Sequence, residues 1–136
     1  MTKSLLLCSG IAFALFLIID FIWLSIAVKF IYKPLLGSLL LEKPILWAAF
    51  IFYFLYIVGI TFLVLKPNLN NFQIFDAFWM GALFGLVAYG TYDLTNLATI
   101  KNWSLKVTII DLIWGGVLTS TVSSLSIWIM SKINSV

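Results

Sequence analysis

The sequence predicts an all-α integral membrane protein folded as a four-helix antiparallel bundle. Three observations carry that expectation. Of 136 residues, 63% are hydrophobic and 10% charged, whereas a soluble domain carries about 25% charged residues. A spanning helix needs about 20 mostly apolar residues, and the chain holds four such charge-poor runs, at about 5–32, 44–65, 74–99 and 107–131. The connections between them are short, so successive spans run antiparallel and residues 1–136 form a single transmembrane domain with both termini on one side.

The charge pattern supports this class and excludes others. The net charge of +3 comes from eight lysines, with no arginine, and these sit mostly at the ends of the apolar runs, where a lysine can snorkel to the headgroups. Membrane lipids are the expected partner and nucleic acid is not. Cys8 is the single cysteine and histidine is absent. An internal disulfide and the soft-metal ligand sets are thereby excluded, and no metal or cofactor is expected.

Taken in order, the first span has one acid, Asp20, and lysines at both ends. A signal peptide has an apolar region of about 7–15 residues. Here the apolar character continues past Asp20 to Val28, so a retained span is expected. The segment 33–43, KPLLGSLLLEK, is short, leucine-rich and charged at its ends, which suits the membrane interface. The second span has no charge, and its aromatic residues Trp47, Phe50, Phe52, Tyr53, Phe54 and Tyr56 point in several directions. It reads as a packing and lipid-facing helix. The stretch 66–73, KPNLNNFQ, reads as a turn on its proline and three asparagines.

The third span opens with Gly81-Ala-Leu-Phe-Gly85, a spacing of small residues that lets another helix approach closely. Further on, Tyr89, Asp93 and Asn96 share one helical face with Tyr92 at its edge. The fourth span sets Thr108, Asp111, Trp114 and Gly115 on one face, and its later part carries six serines and threonines that can bond to their own backbone or to a neighbour and are read as structural. A short repeat links the ends of the chain, Ile19-Asp20-Phe-Ile-Trp23 against Ile110-Asp111-Leu-Ile-Trp114, with a looser copy at Asp76-Ala-Phe-Trp79. Asp and Trp three apart share a face, so an indole can cover or hydrogen-bond beside its carboxylate. Chance matching and duplication both account for a repeat this short. Related helices at corresponding depth are nevertheless a common construction in transporters.

Depth follows from distance to the connections. Asp20, Asp93 and Asp111 lie nine, eight and five residues from Lys29, Lys101 and Lys106, or roughly 14, 12 and 8 Å at about 1.5 Å per residue. Three acids from three helices therefore lie in one leaflet. Asp76, in the first turn at the other end, suits a helix N-terminus and is read as structural. Ionisable groups inside a bilayer are costly and usually face a cavity or the bundle interior. Asp93, Asp111 and Asp20 are thus the candidate catalytic residues, and Tyr89, Tyr92, Asn96, Trp23, Trp114 and Thr108 the candidate ligand-binding residues. Neighbouring buried carboxyls cannot all ionise cheaply, so one is expected to keep its proton. Such a group suits acid–base catalysis, proton-coupled transport or a hard cation; the bland alternative is that the acids merely fasten helices together.

Together, IDFIWL in the first span, YDLTNLATIKNW at the end of the third and IDLIWG in the fourth resemble the domain of unknown function 2177 family of small bacterial membrane proteins. The resemblance covers nearly the whole chain, and YDLTNLA is its most specific part. It implies a four-helix multi-pass protein of a bacterial inner membrane, and it implies no particular activity. Three function classes stay open: a site for a lipid-like or other small molecule with acid–base chemistry on a lipid or isoprenoid; a small proton- or cation-coupled transporter acting as a homodimer; and an accessory subunit binding through its glycine and hydroxyl faces. Lys29, Lys33, Lys43, Lys101 and Lys106 stand at one end against Lys3, Lys66 and Lys132 at the other. The positive-inside tendency then places the termini outside.

Overall fold

The computed structural model describes residues 2–134. Met1, Ser135 and Val136, and with them the outer limits of the 1–136 domain, lie outside the described residues. Four helices account for nearly all of it: α1 (Lys3–Leu39), α2 (Leu46–Leu69), α3 (Ile74–Thr99) and α4 (Leu105–Ile133), each long and apolar enough to cross a membrane. They form an antiparallel bundle. Its outer surface is strongly apolar, with Leu46 75%, Phe75 71% and Trp47 70% exposed. Water does not tolerate so continuous an apolar surface on a monomer, whereas lipid tails do.

Two of the helices run on through prolines. The expected first and second spans stop before Lys33-Pro34 and Lys66-Pro67. Instead, one π-helical turn precedes each Lys-Pro pair, Val28–Tyr32 in α1 and Thr61–Leu65 in α2, closed by the Lys33 N–H donating to Val28 O and the Lys66 N–H to Thr61 O. Proline lacks an N–H and its ring crowds the carbonyl four residues back; the wider π turn removes that conflict and lets the helix continue. Much of 33–43 and of 66–73 is therefore helix. Asn68 is buried, with its Nδ2 donating to Val64 O at 2.7 Å.

Side-chain spacing decides which faces meet. Along α1 the buried residues Leu5, Cys8, Ala12, Phe16 and Asp20 fall three or four apart, a single stripe. That stripe packs against α4 and the latter part of α2. The α3–α4 pair is the closest in the bundle, and glycine is the cause. A Cβ at Gly81 would lie 2.7 Å from Thr119 O, and one at Gly85 would run into the backbone of Gly115. Lipid supplies no hydrophobic drive for helix association, so close backbone approach is the main source of packing energy. Several hydroxyls of α4 bond to their own backbone: Thr119 donates to Gly115 O, Ser124 to Ser120 O and Ser126 to Val122 O, each at 2.7 Å.

The loop between α3 and α4 turns at Asn102, whose φ is 64°, a left-handed conformation that asparagine tolerates better than most residues. Ser104 then caps α4 by accepting from the Val107 N–H. This short, capped turn fixes the register in which α3 and α4 present their acids.

Candidate functional site

The buried stripe of α1 ends on Asp20, 6% exposed, and Trp23 lies one turn further on. In α3 the spacing Ala77, Gly81, Gly85, Tyr89, Asp93 delivers Asp93 to the α4 face, where it is 0% exposed. In α4, Asp111 (6% exposed) and Trp114 face back toward α1. Between these helices and α2 lies a cavity of about 310 Å³. Its wall is mainly aromatic: Trp23, Tyr32, Tyr53, Tyr56, Tyr89 and Trp114, with Phe52 and Tyr92 at its margin. Asp20 and Asp111 are the acids that line it.

The two Asp-x-x-Trp repeats meet here and exchange partners. The Trp23 and Trp114 rings stack, with centroids 4.3 Å apart and planes 11° from parallel. Trp114 Nε1 donates to Asp20 Oδ1 at 3.4 Å. Trp23 Nε1 donates to the Tyr32 hydroxyl at 3.2 Å, and that hydroxyl donates to Asp111 Oδ1 at 2.5 Å. Each indole thus serves the carboxylate of the other repeat, rather than its own. The two links differ, since Trp114 reaches Asp20 directly and Trp23 reaches Asp111 through Tyr32.

Hydrogen-bond partners distinguish the three acids. Asp20 accepts from the Tyr53 hydroxyl at 2.7 Å as well as from Trp114, so both of its oxygens have a donor. The Tyr32 oxygen already accepts from Trp23, so its own hydrogen goes to Asp111. Asp93 is different: no N–H or O–H donor reaches either of its oxygens among the described residues, and the group beside it is the carboxyl of Asp111. Two carboxyls hydrogen-bond only with a proton between them. Oδ1 of Asp111 accepts from Tyr32 and Asp93 has no other partner among the described residues, so the arrangement suits one proton shared across the Asp93–Asp111 pair.

Of the residues expected from sequence, Asp20, Asp111, Trp23, Trp114, Tyr89 and Tyr92 line the cavity. Asp93 stands behind Asp111. Asn96 and Thr108 do not line it. Asn96 bonds to the Tyr92 side chain, and Thr108 accepts from Trp103 Nε1 at 3.1 Å while donating to Ser104 O at 3.2 Å; both are supports for the α3–α4 turn. Asp20 lines the same cavity as Asp111 and has donors of its own in Tyr53 and Trp114.

Tyr32, Tyr53 and Tyr56 were missed. Nine residues separate Trp23 from Tyr32, which on a regular helix at about 100° per residue is the opposite face. The π turn between them inserts one residue, leaving about 80° between the two side chains. Tyr53 and Tyr56 sit on the helix that reads as packing and lipid-facing. Trp47, Phe50 and Phe54 do face outward, but Tyr53 bonds to Asp20 and Tyr56 to Thr119 Oγ1 at 2.7 Å. A phenol hydroxyl needs a partner when buried, and that was the available signal.

A family model described as a predicted membrane protein (DUF2177) matches residues 5–128. No curated protein and no solved structure matches the chain.

Proposed function

This chain belongs to the DUF2177 family of predicted membrane proteins, and from that premise we propose that it forms an intramembrane site for a lipid-like small molecule, seated in the aromatic cavity against Asp20 and Asp111. The observation that carries the reading is the pairing of an apolar, aromatic wall with two carboxylates held by phenol and indole donors. A site that merely fastened helices would leave no 310 Å³ space beside its acids. The chemistry it suits is proton movement on a lipid or isoprenoid, with Asp93 holding the proton of the pair and Asp20 and Asp111 ionised: Asp20 takes a proton from one carbon, Asp93 passes its proton to Asp111, which delivers it to another carbon, and the proton on Asp20 returns to Asp93 before the next turnover. Asp93 then acts through Asp111 and need not touch the substrate.

Filling the cavity tests this without altering the acids. Ala88 lines it, and Ala88→Phe is expected to remove a small amphiphile that native mass spectrometry finds on the wild-type protein released from its own membranes. Equal retention by both proteins contradicts the reading.

The meeting of the two Asp-x-x-Trp repeats at stacked Trp23 and Trp114 favours a second reading, a proton-coupled transporter acting as a homodimer, because related helices at corresponding depth recur where transporters bind their cargo. Uptake into proteoliposomes driven by a proton gradient separates it from an enzyme, which consumes its substrate without a gradient. For either reading the proposed location is a bacterial inner membrane, with the termini outside on the lysine distribution. A periplasmic-type reporter at the C-terminus is then expected to be active, and activity of a cytoplasmic-type reporter instead reverses the orientation.

A further inference from the structure

We infer that the occupant of the cavity is an organic cation, an amphiphile carrying an ammonium group, and this inference rests on the lipid-site reading above. Asp20 and Asp111 are both acceptor-only in their hydrogen bonding and both line the cavity. Every group that stabilises them is neutral: two phenols, one indole and one carboxylic acid. No lysine lines the space. On the proton placement proposed above, Asp20 and Asp111 are two carboxylates 6% exposed with no lysine among the lining residues, a poorly compensated pair, and the missing charge is one that a ligand can bring. The wall is built for the same task, since the faces of tryptophan and tyrosine attract cations most strongly where water is excluded. Trp23, Trp114, Tyr53 and Tyr89 surround the space next to the acids. An anionic ligand would meet two carboxylates and no basic group. A neutral one would gain the apolar wall and leave the charges uncompensated.

Ammonium chemistry has two sources in a membrane, a lipid headgroup and a free amine amphiphile, and one experiment distinguishes them. The full chain is placed in nanodiscs of phosphatidylglycerol, which has no ammonium group, and the stacked Trp23–Trp114 fluorescence is followed on titration with dodecyltrimethylammonium, dodecanol or dodecanoate. The expected result is a saturable response to the cation, at least about tenfold tighter than to dodecanol, with no saturable response to dodecanoate. Asp20→Asn and Asp111→Asn should each weaken the cation by about tenfold or more. Asp76→Asn, exposed at the opposite end of α3, should not. Repeating the titration in phosphatidylcholine nanodiscs identifies the source: weaker binding of the probe supports a lipid headgroup as natural occupant, and unchanged binding supports a free amphiphile. Dodecanol binding as tightly as the cation overturns the cation inference and leaves the lipid site standing. No saturable response to any of the three overturns both. The ligand series is run on the wild-type chain, so it stays decisive if an Asn variant fails to fold.

Discussion

Asp111→Asn is expected to lose ligand binding and turnover together, while Asp93→Asn loses turnover and keeps binding. The difference follows from the roles of the two acids. Asp111 lines the cavity as an anion; an amide there removes the charge and turns a donor toward the Tyr32 hydroxyl. One charge-assisted hydrogen bond is worth about 2 kcal/mol, or roughly thirtyfold in affinity. Asp93 is behind it, 0% exposed, and has Asp111 as its neighbour. An asparagine amide still donates to Asp111, so the anion stays in place and thermal stability is nearly unchanged, but no proton remains to be passed on. Asp93→Leu separates the two contributions further. It leaves Asp111 one donor short, and should cost about 1–3 kcal/mol in stability. Retention of the bound amphiphile by native mass spectrometry, with melting temperature in the same detergent, checks all three variants. Equal loss of binding in both Asn variants contradicts the assignment of roles.

The largest effect on folding is expected from Gly85→Val. A Cβ there would run into the backbone of Gly115, which cannot swing aside as a side chain can. The helices must part, and with them the Thr119, Tyr89 and Asp93 contacts that α3 and α4 share. A loss of about 3 kcal/mol is expected, the upper end of ordinary overpacking. Gly10→Val is the matched control: a Cβ at Gly10 meets nothing within 4 Å, and its effect should stay within about 0.5 kcal/mol. The midpoint of unfolding in mixed micelles of increasing dodecyl sulfate measures both. Similar midpoints for the two variants contradict the packing described for α3 and α4.

Much of the fold was legible because the bilayer imposes it. Four charge-poor runs with short connections leave little other than an antiparallel bundle, and the Gly81–Gly85 spacing announces a close partner, which is α4. The pairing of Asp93 with Asp111 was also readable, since the two flank one short turn. What could not be read were departures from the regular helix. The π turn at Val28–Tyr32 reverses which face Tyr32 occupies, and the one at Thr61–Leu65 carries α2 past Pro67. Proline in a sequence reads as an end unless a compensating turn is known. Nor does the repeat indicate that its tryptophans exchange carboxylates, because helix spacing places Trp23 near Asp20 and is silent on the tertiary crossing that carries Trp114 to Asp20. Tyr53 and Tyr56 were hidden by their setting, a helix with aromatic residues on every side and no charge to mark one face.

Infrared difference spectroscopy reads directly whether Asp93 holds the proton of the pair while Asp20 and Asp111 line the cavity as anions. In wild type minus Asp93→Asn, loss of one carboxylic-acid C=O stretch and no loss of carboxylate bands is expected. In wild type minus Asp111→Asn, and likewise for Asp20→Asn, loss of carboxylate bands is expected. Loss of a carboxylate band on replacing Asp93, or of an acid C=O stretch on replacing Asp20 or Asp111, contradicts that proton placement.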